Sequence, residues 1–111
     1  MNAYEIPSLR FSLPAGGAVE RHRFVAVDAN SNGIQAVADS NIIGASMNKT
    51  SAGQVLEIAD GIVMVEAAKA VTAGKIAYAD ADGKVTDTGT VAAGIVITSA
   101  VAGGLAAVKI N

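Results

Sequence analysis

The stretch Ile76-Ala77-Tyr78-Ala79-Asp80-Ala81-Asp82-Gly83 decides the fold class. Four apolar or aromatic residues read as a short strand, and the Asp-Gly pair that follows is favoured where the backbone must take positive φ in a tight hairpin. The same grammar runs outward in both directions. Phe24-Val25-Ala26-Val27, Ile34-Gln35-Ala36-Val37, Val55-Leu56-Glu57-Ile58, Ile62-Val63-Met64-Val65, Ile95-Val96-Ile97-Thr98 and Ala106-Ala107-Val108-Lys109-Ile110 are short and mostly β-branched. Gly, Asn or Asp separates nearly every pair, at intervals close to the roughly 8–12 residues of an all-β domain. Asn32-Gly33 marks a second tight hairpin. The expected fold is all-β, a small single-domain β-sandwich or barrel. Only Val65 to Val71 has a helical reading, and Gly74 ends it. Ala52-Gly53, Ala73-Gly74 and Ala102-Gly103 each stand at the entrance to a strand, with Ala15-Gly16 as a weaker echo. Their irregular spacing predicts recurring turn chemistry rather than a solenoid.

Residues 1–10 differ in character and are read as an N-terminal arm, with a single β-domain over 11–111. Pro7 cannot donate a ladder hydrogen bond, and the stretch leads into the strand-like alternation of Leu9-Arg10-Phe11-Ser12-Leu13. An arm of this kind can add itself as an edge strand to another chain.

Composition narrows the function classes. With 111 residues the chain has room for one domain. Charged residues make up 16% and hydrophobic residues 51%, which argues against disorder, since disordered chains are rich in charge and poor in apolar residues. The absence of cysteine excludes disulfide and thiolate-metal frameworks and fits a reducing compartment. A net charge of −2 offers no basic face for a nucleic-acid partner. The apolar runs are too short to span a bilayer, and the first residues lack the pattern of a signal peptide, so no membrane partner is expected. About a fifth of the residues are alanine, and alanine buries little area at about 25 cal/mol per Å². A thin core with little surface charge points toward assembly with other chains.

Catalytic chemistry finds few footholds. His22, the only histidine, sits between Arg21 and Arg23, which disfavour the imidazolium. The serines have no strand–nucleophile–helix setting, Gly-rich phosphate loops are absent, and an enzyme is not expected. Asp28-Ala29-Asn30-Ser31-Asn32-Gly33, with Asp39 beyond it, has the oxygen-ligand spacing of a calcium loop. Its two acids are few and Asp39 is short for the closing position, so an Asn-rich turn explains the letters better. Asp80-Ala81-Asp82-Gly83 lacks a third ligand and reads as a turn. Val65-Glu66-Ala67-Ala68-Lys69-Ala70-Val71 loosely resembles the modified-lysine hairpin of biotinyl and lipoyl carrier domains, although Ala68 and Ala70 stand where the biotin pattern has methionines. The alternative function is therefore a small β carrier or ligand-binding domain, with Lys69 or the Asp28 loop as its site. No metal and no cofactor is assigned.

Taken in order, several segments resemble the small capsid cement, or head-decoration, proteins of tailed bacteriophages. The likeness is carried by Leu13-Pro14-Ala15-Gly16, by Asp60-Gly61-Ile62-Val63-Met64-Val65, and most by the passage from Val71-Thr72-Ala73-Gly74 through Asp82-Gly83-Lys84-Val85-Thr86. Ala93-Gly94-Ile95-Val96 and Ala107-Val108-Lys109-Ile110 complete it. Lys75 stands where the family often has Asp, and Val96 where it has a small residue. The resemblance implies a non-enzymatic virion protein on the outer surface of an icosahedral head, made in the bacterial cytoplasm. Its implied partners are the major coat protein and itself, as a homo-oligomer, a trimer before a dimer. On that footing the extended backbone and large apolar side chains of Tyr4, Ile6, Leu9 and Phe11 are the expected coat or subunit contacts. Arg10, Arg21 and Arg23 concentrate positive charge in an acidic protein and are expected to meet acidic coat loops.

Overall fold

A computed structural model describes residues 6–111. Nine strands follow one another with no helix among the described residues: β1 (Ile6–Pro14), β2 (Phe24–Val27), β3 (Gly33–Gln35), β4 (Gly44–Ser46), β5 (Val55–Glu66), β6 (Ile76–Ala79), β7 (Val85–Thr86), β8 (Ala92–Val96) and β9 (Leu105–Ile110). All pair antiparallel into one curled sheet of order β3-β2-β4-β5-β9-β8-β6-β7, with β1 added on β5. The all-β expectation therefore holds. The helical reading of Val65 to Val71 does not: Val65 and Glu66 end β5, and Ala67 and Val71 make isolated bridges to Val85 and Ala100. The strand reading of Leu9 to Leu13 extends back to Ile6, since Ile6 pairs with Ile62 and Pro7 with Gly61.

The two runs Val55–Ile58 and Ile62–Val65 are one twelve-residue strand, β5. That strand organises everything else, because the chain is a tandem duplication that shares it. Residues 6–61 and 58–111 repeat the same pairing, displaced by 52 positions as far as β3 and by 50 from β4 onward. Thus Pro14 opposite Val55 becomes Glu66 opposite Leu105, Phe24 opposite Ala45 becomes Ile76 opposite Ile95, and Val27 opposite Gly33 becomes Ala79 opposite Val85. Parallel bridges Ala15–Gly33 and Ala67–Val85 match, as do the bridges Val19–Thr50 and Val71–Ala100. Even a side-chain device recurs: Asn48 Oδ1 accepts from the Glu57 amide at 2.9 Å, and Thr98 Oγ1 accepts from the Ala107 amide at 3.0 Å.

The repeat accounts for part of the recurring Ala-Gly turn chemistry. Gly53 and Gly103 are equivalent, both at positive φ, whereas the partner of Gly74 is His22, which holds φ 61° without being glycine. The residues differ while the backbone conformation is the same. The strongest constraint is at Gly44 and Gly94, where β4 and β8 cross their neighbours. A Cβ on Gly44 would lie 2.5 Å from the Ala59 carbonyl oxygen, and one on Gly94 would overlap the Lys109 carbonyl. Only glycine lets the strands approach so closely.

Successive residues of a strand point to opposite faces, so each half has a front and a back. The front of the first half carries Val25, Leu56 and Ile58, capped by Ala15 and Val19 and flanked by Phe11, Leu13 and Ile43. Its back carries Phe24, Ala26, Ala45 and Ala59. These join Val63, Val65, Ala77, Ala106 and Val108, the front of the second half, in a single buried cluster. The main core is thus the junction between the repeats.

Candidate assembly surface

Two faces are left over when the second half's front closes on the first half's back. One is the first half's front, and the other is the second half's back. Their contrast with the enclosed faces is large at equivalent positions. Phe24 is fully buried, while its counterpart Ile76 is 47% exposed; Ala45 is 1% exposed and Ile95 37%. Buried Ala26 and Ala59 correspond to half-buried Tyr78 and exposed Lys109. On the front, buried Val63, Val65 and Ala93 correspond to half-buried Phe11, Leu13 and Ile43. An open groove of about 400 Å³ lies on the second half's back, lined by Thr72, Lys75, Ile76, Tyr78 and Asp87. Val101 and Leu105 add exposed apolar surface at the entrance to β9.

The structure disperses the residues singled out from sequence. Tyr4 lies outside the described residues. Ile6 is placed in β1 opposite Ile62. Leu9 is 56% exposed and Arg10 is exposed beside it, while Phe11 packs half-buried on the front cluster. Arg21 is exposed, whereas Arg23 is half-buried and turned inward, its guanidinium 3.6 Å from Glu66, which also receives Lys84 Nζ at 3.1 Å. Ile76, Tyr78 and Ile95 were missed. The signal for them was present: Ile76-Ala77-Tyr78-Ala79 is apolar on both alternating faces, and a strand apolar on both faces is normally covered on both.

The two acidic loops are one device used twice. Asp28 Oδ1 accepts from the amides of Asn30 and Asn32, both at 2.9 Å, and Asp80 Oδ1 accepts from those of Asp82 and Lys84, again at 2.9 Å. Each carboxylate braces its own hairpin turn, and the left-handed residue falls at Ser31 in one and Gly83 in the other. The Asn32 amide above all holds the Asp28 carboxyl below its ordinary pKa. Asp39 is occupied elsewhere, accepting from the Thr90 amide at 2.9 Å. No group of three or more His, Asp or Glu side chains arranged to hold a metal occurs among the described residues. Lys69 follows β5 in the connection to β6, with its Nζ 3.2 Å from Asp87 Oδ1.

Residues 5–110 match the family model described as phage cement protein. No curated protein matches the chain. Among solved structures, the N base of the head fiber gp8.5 of bacteriophage phi29 has the same fold, with a TM-score of 0.76 over 93% of each chain at 16% sequence identity. A match that spans both halves and the strand they share leaves little of the chain outside it: this protein belongs to the phage cement protein family.

Proposed function

We propose that the protein is a non-catalytic cement subunit that binds the outer surface of an icosahedral phage head and clamps neighbouring coat subunits against internal pressure. Family membership makes it a structural, capsid-associated component of a phage. The observation that supports the finer reading is the pair of incompletely covered apolar faces at the two ends of the duplicated sheet. Burying them removes about 25 cal/mol per Å² of apolar area from water. Modest contacts held on one rigid oligomer sum through high effective concentration, so clamping does not require any single contact to be tight. Leu9 and Arg10, both exposed and consecutive on β1, present an apolar anchor on one face of the strand and a positive charge on the other.

Co-sedimentation with expanded heads stripped of decoration tests this. Saturable binding at a fixed ratio to coat subunits, with a rise in the temperature at which heads release DNA, is the expected result. Leu9→Glu combined with Arg10→Glu should weaken binding at least tenfold while leaving the melting temperature of the free protein within a few degrees. Heads that bind none of the wild-type protein overturn the proposal.

A further inference from the structure

We infer that copies of this chain join head to tail, the open back of one copy's second half receiving the front of the next copy's first half. The biological setting rests on the cement reading; the inference assigns the two open faces to contacts between copies, building the oligomer that reading needs, and says nothing of how the subunits meet the coat.

The template is inside the molecule. At the inner junction the turn between β6 and β7 sits in a slot on the first half's back. There the Phe24 amide donates to the Gly83 carbonyl at 2.8 Å, and Gln35 Nε2 donates to the Asp82 carbonyl at 2.9 Å. Moved to the second half, the residues of that slot are Ile76 and Asp87, and both line the open groove. The turn that would fill it is Asp28 to Asn32 of another copy. It has the same braced construction as the inner turn, with φ 65° at Ser31 against 73° at Gly83. Part of the apolar surroundings corresponds as well. Phe11, Leu13 and Ile43 stand where Val63, Val65 and Ala93 are buried by the inner junction, and Ile76 and Ile95 stand where Phe24 and Ala45 are.

Several differences make the outer junction the weaker one. Tyr78 and Lys109 stand where Ala26 and Ala59 are enclosed. Asp87, paired with Lys69 Nζ at 3.2 Å, is a carboxylate that cannot donate to a turn carbonyl as Gln35 Nε2 does. Pro14 occupies the place of Glu66, whose amide donates to the His22 carbonyl at 2.9 Å and whose carboxylate meets Arg23. Proline has neither an amide hydrogen nor a carboxylate, so both contacts lack a counterpart. A Cβ at Gly83 would come within 3.1 to 3.3 Å of Ala36 and Phe24 carbonyl oxygens and the Gln35 side chain. Ser31 carries that Cβ, so the outer junction is set a few tenths of an ångström wider. A reversible contact between separate chains results, of the heterologous kind that closes into a ring or extends as a filament.

The chain has no cysteine, which makes site-specific disulfide trapping clean. Ser31→Cys and Ile76→Cys place thiols at the predicted contact, both on exposed residues, and the Cα separation implied by a backbone hydrogen bond suits a disulfide. Under mild oxidation, at high concentration in solution and on heads, a mixture of the two variants should give a cross-linked dimer that neither variant gives alone. The double variant should give closed or extended multimers. Pro14→Cys with Lys75→Cys repeats the test at the position of Glu66 and Arg23. Cross-linking of Ile76→Cys with itself as efficiently as in the mixture, or no cross-link from either pair in both settings, overturns the inference. Head binding is scored separately on reduced protein: binding without cross-links sinks the junction alone, and cross-links without binding sink the cement reading alone.

Discussion

Phe24 and Ile76 hold the same position in two copies of one fold, yet the first is the largest fully buried side chain among the described residues and the second lies nearly half in solvent. Local backbone does not account for this, since the strands, registers and turns around them are alike. What differs is the neighbour: the first half has the second against its back, and none of the described residues covers the second half's back in the same way. Burial in a duplicated fold is therefore a property of position in the array as much as of position in the repeat. A repeat unit that cannot cover both its faces needs its neighbour for stability.

Substitutions at matched sites can break or sharpen that comparison. The largest effect is expected where the halves are most alike: Gly94→Ala drives a methyl into the Lys109 carbonyl, and Gly44→Ala one against that of Ala59. Each should cost about 3 kcal/mol or more, read by urea denaturation, because backbone rather than a mobile side chain blocks the way. A loss of under 1 kcal/mol at either site would contradict the close crossing. Next, Phe24→Ala should cost about 3–5 kcal/mol, whereas Ile76→Ala in dilute, unassembled protein should change stability by no more than about 0.5 kcal/mol. Equal losses at the two positions would erase the distinction between enclosed and open backs.

Glu66→Gln removes the acid that joins Arg23 of one half to Lys84 of the other. With all three groups only half-buried, about 0.5–1 kcal/mol should be lost, and the difference should shrink at high salt. The smallest effect concerns the braced turns. The Asp28 carboxyl titrates below its ordinary value of 3.8, so its contribution is fully present above that value and fades as pH falls through the lower folded one. Below pH 3.8, where the unfolded and then the folded carboxylate take up the proton, Asp28→Asn should slightly flatten the acid limb of the stability profile. A profile unchanged by the substitution would show that the brace contributes nothing measurable.

Much of the fold was legible because the longer strands announce themselves. Phe24–Val27 and Ile76–Ala79 were read with their observed boundaries, and β9 within one residue, since β-branched runs between Gly, Asn and Asp have few other conformations open to them. β4 and β7 were not seen. Gly44-Ala45-Ser46 and Val85-Thr86 are two or three residues long and owe their extended form to the partners beside them, which no local pattern records. Val65 to Val71 looked helical through its alanines, but Val65 and Glu66 are held in the ladder by Ala106 and Leu105. The duplication escaped for a related reason. Its two copies agree in hydrogen bonding more than in letters, so His22 answers Gly74 and Asn48 answers Thr98. The open surface on Ile76 and Ile95 is defined by contrast with the equivalent buried Phe24 and Ala45, a relation that no local sequence pattern carries.

The sharing of β5 also sets how the molecule bears load. Between Val55 and Ile62 the strand pairs with β1, and between Ile62 and Glu66 with β9. A pull that separates the two halves along this strand meets both ladders in shear, with many bonds strained together instead of parting one after another. The hairpin of β6 and β7, held by two residue pairs, would peel open under far smaller tension. Stress passed from one half to the other thus travels through covalent backbone, and the molecule behaves as a single stiff link rather than two beads on a string.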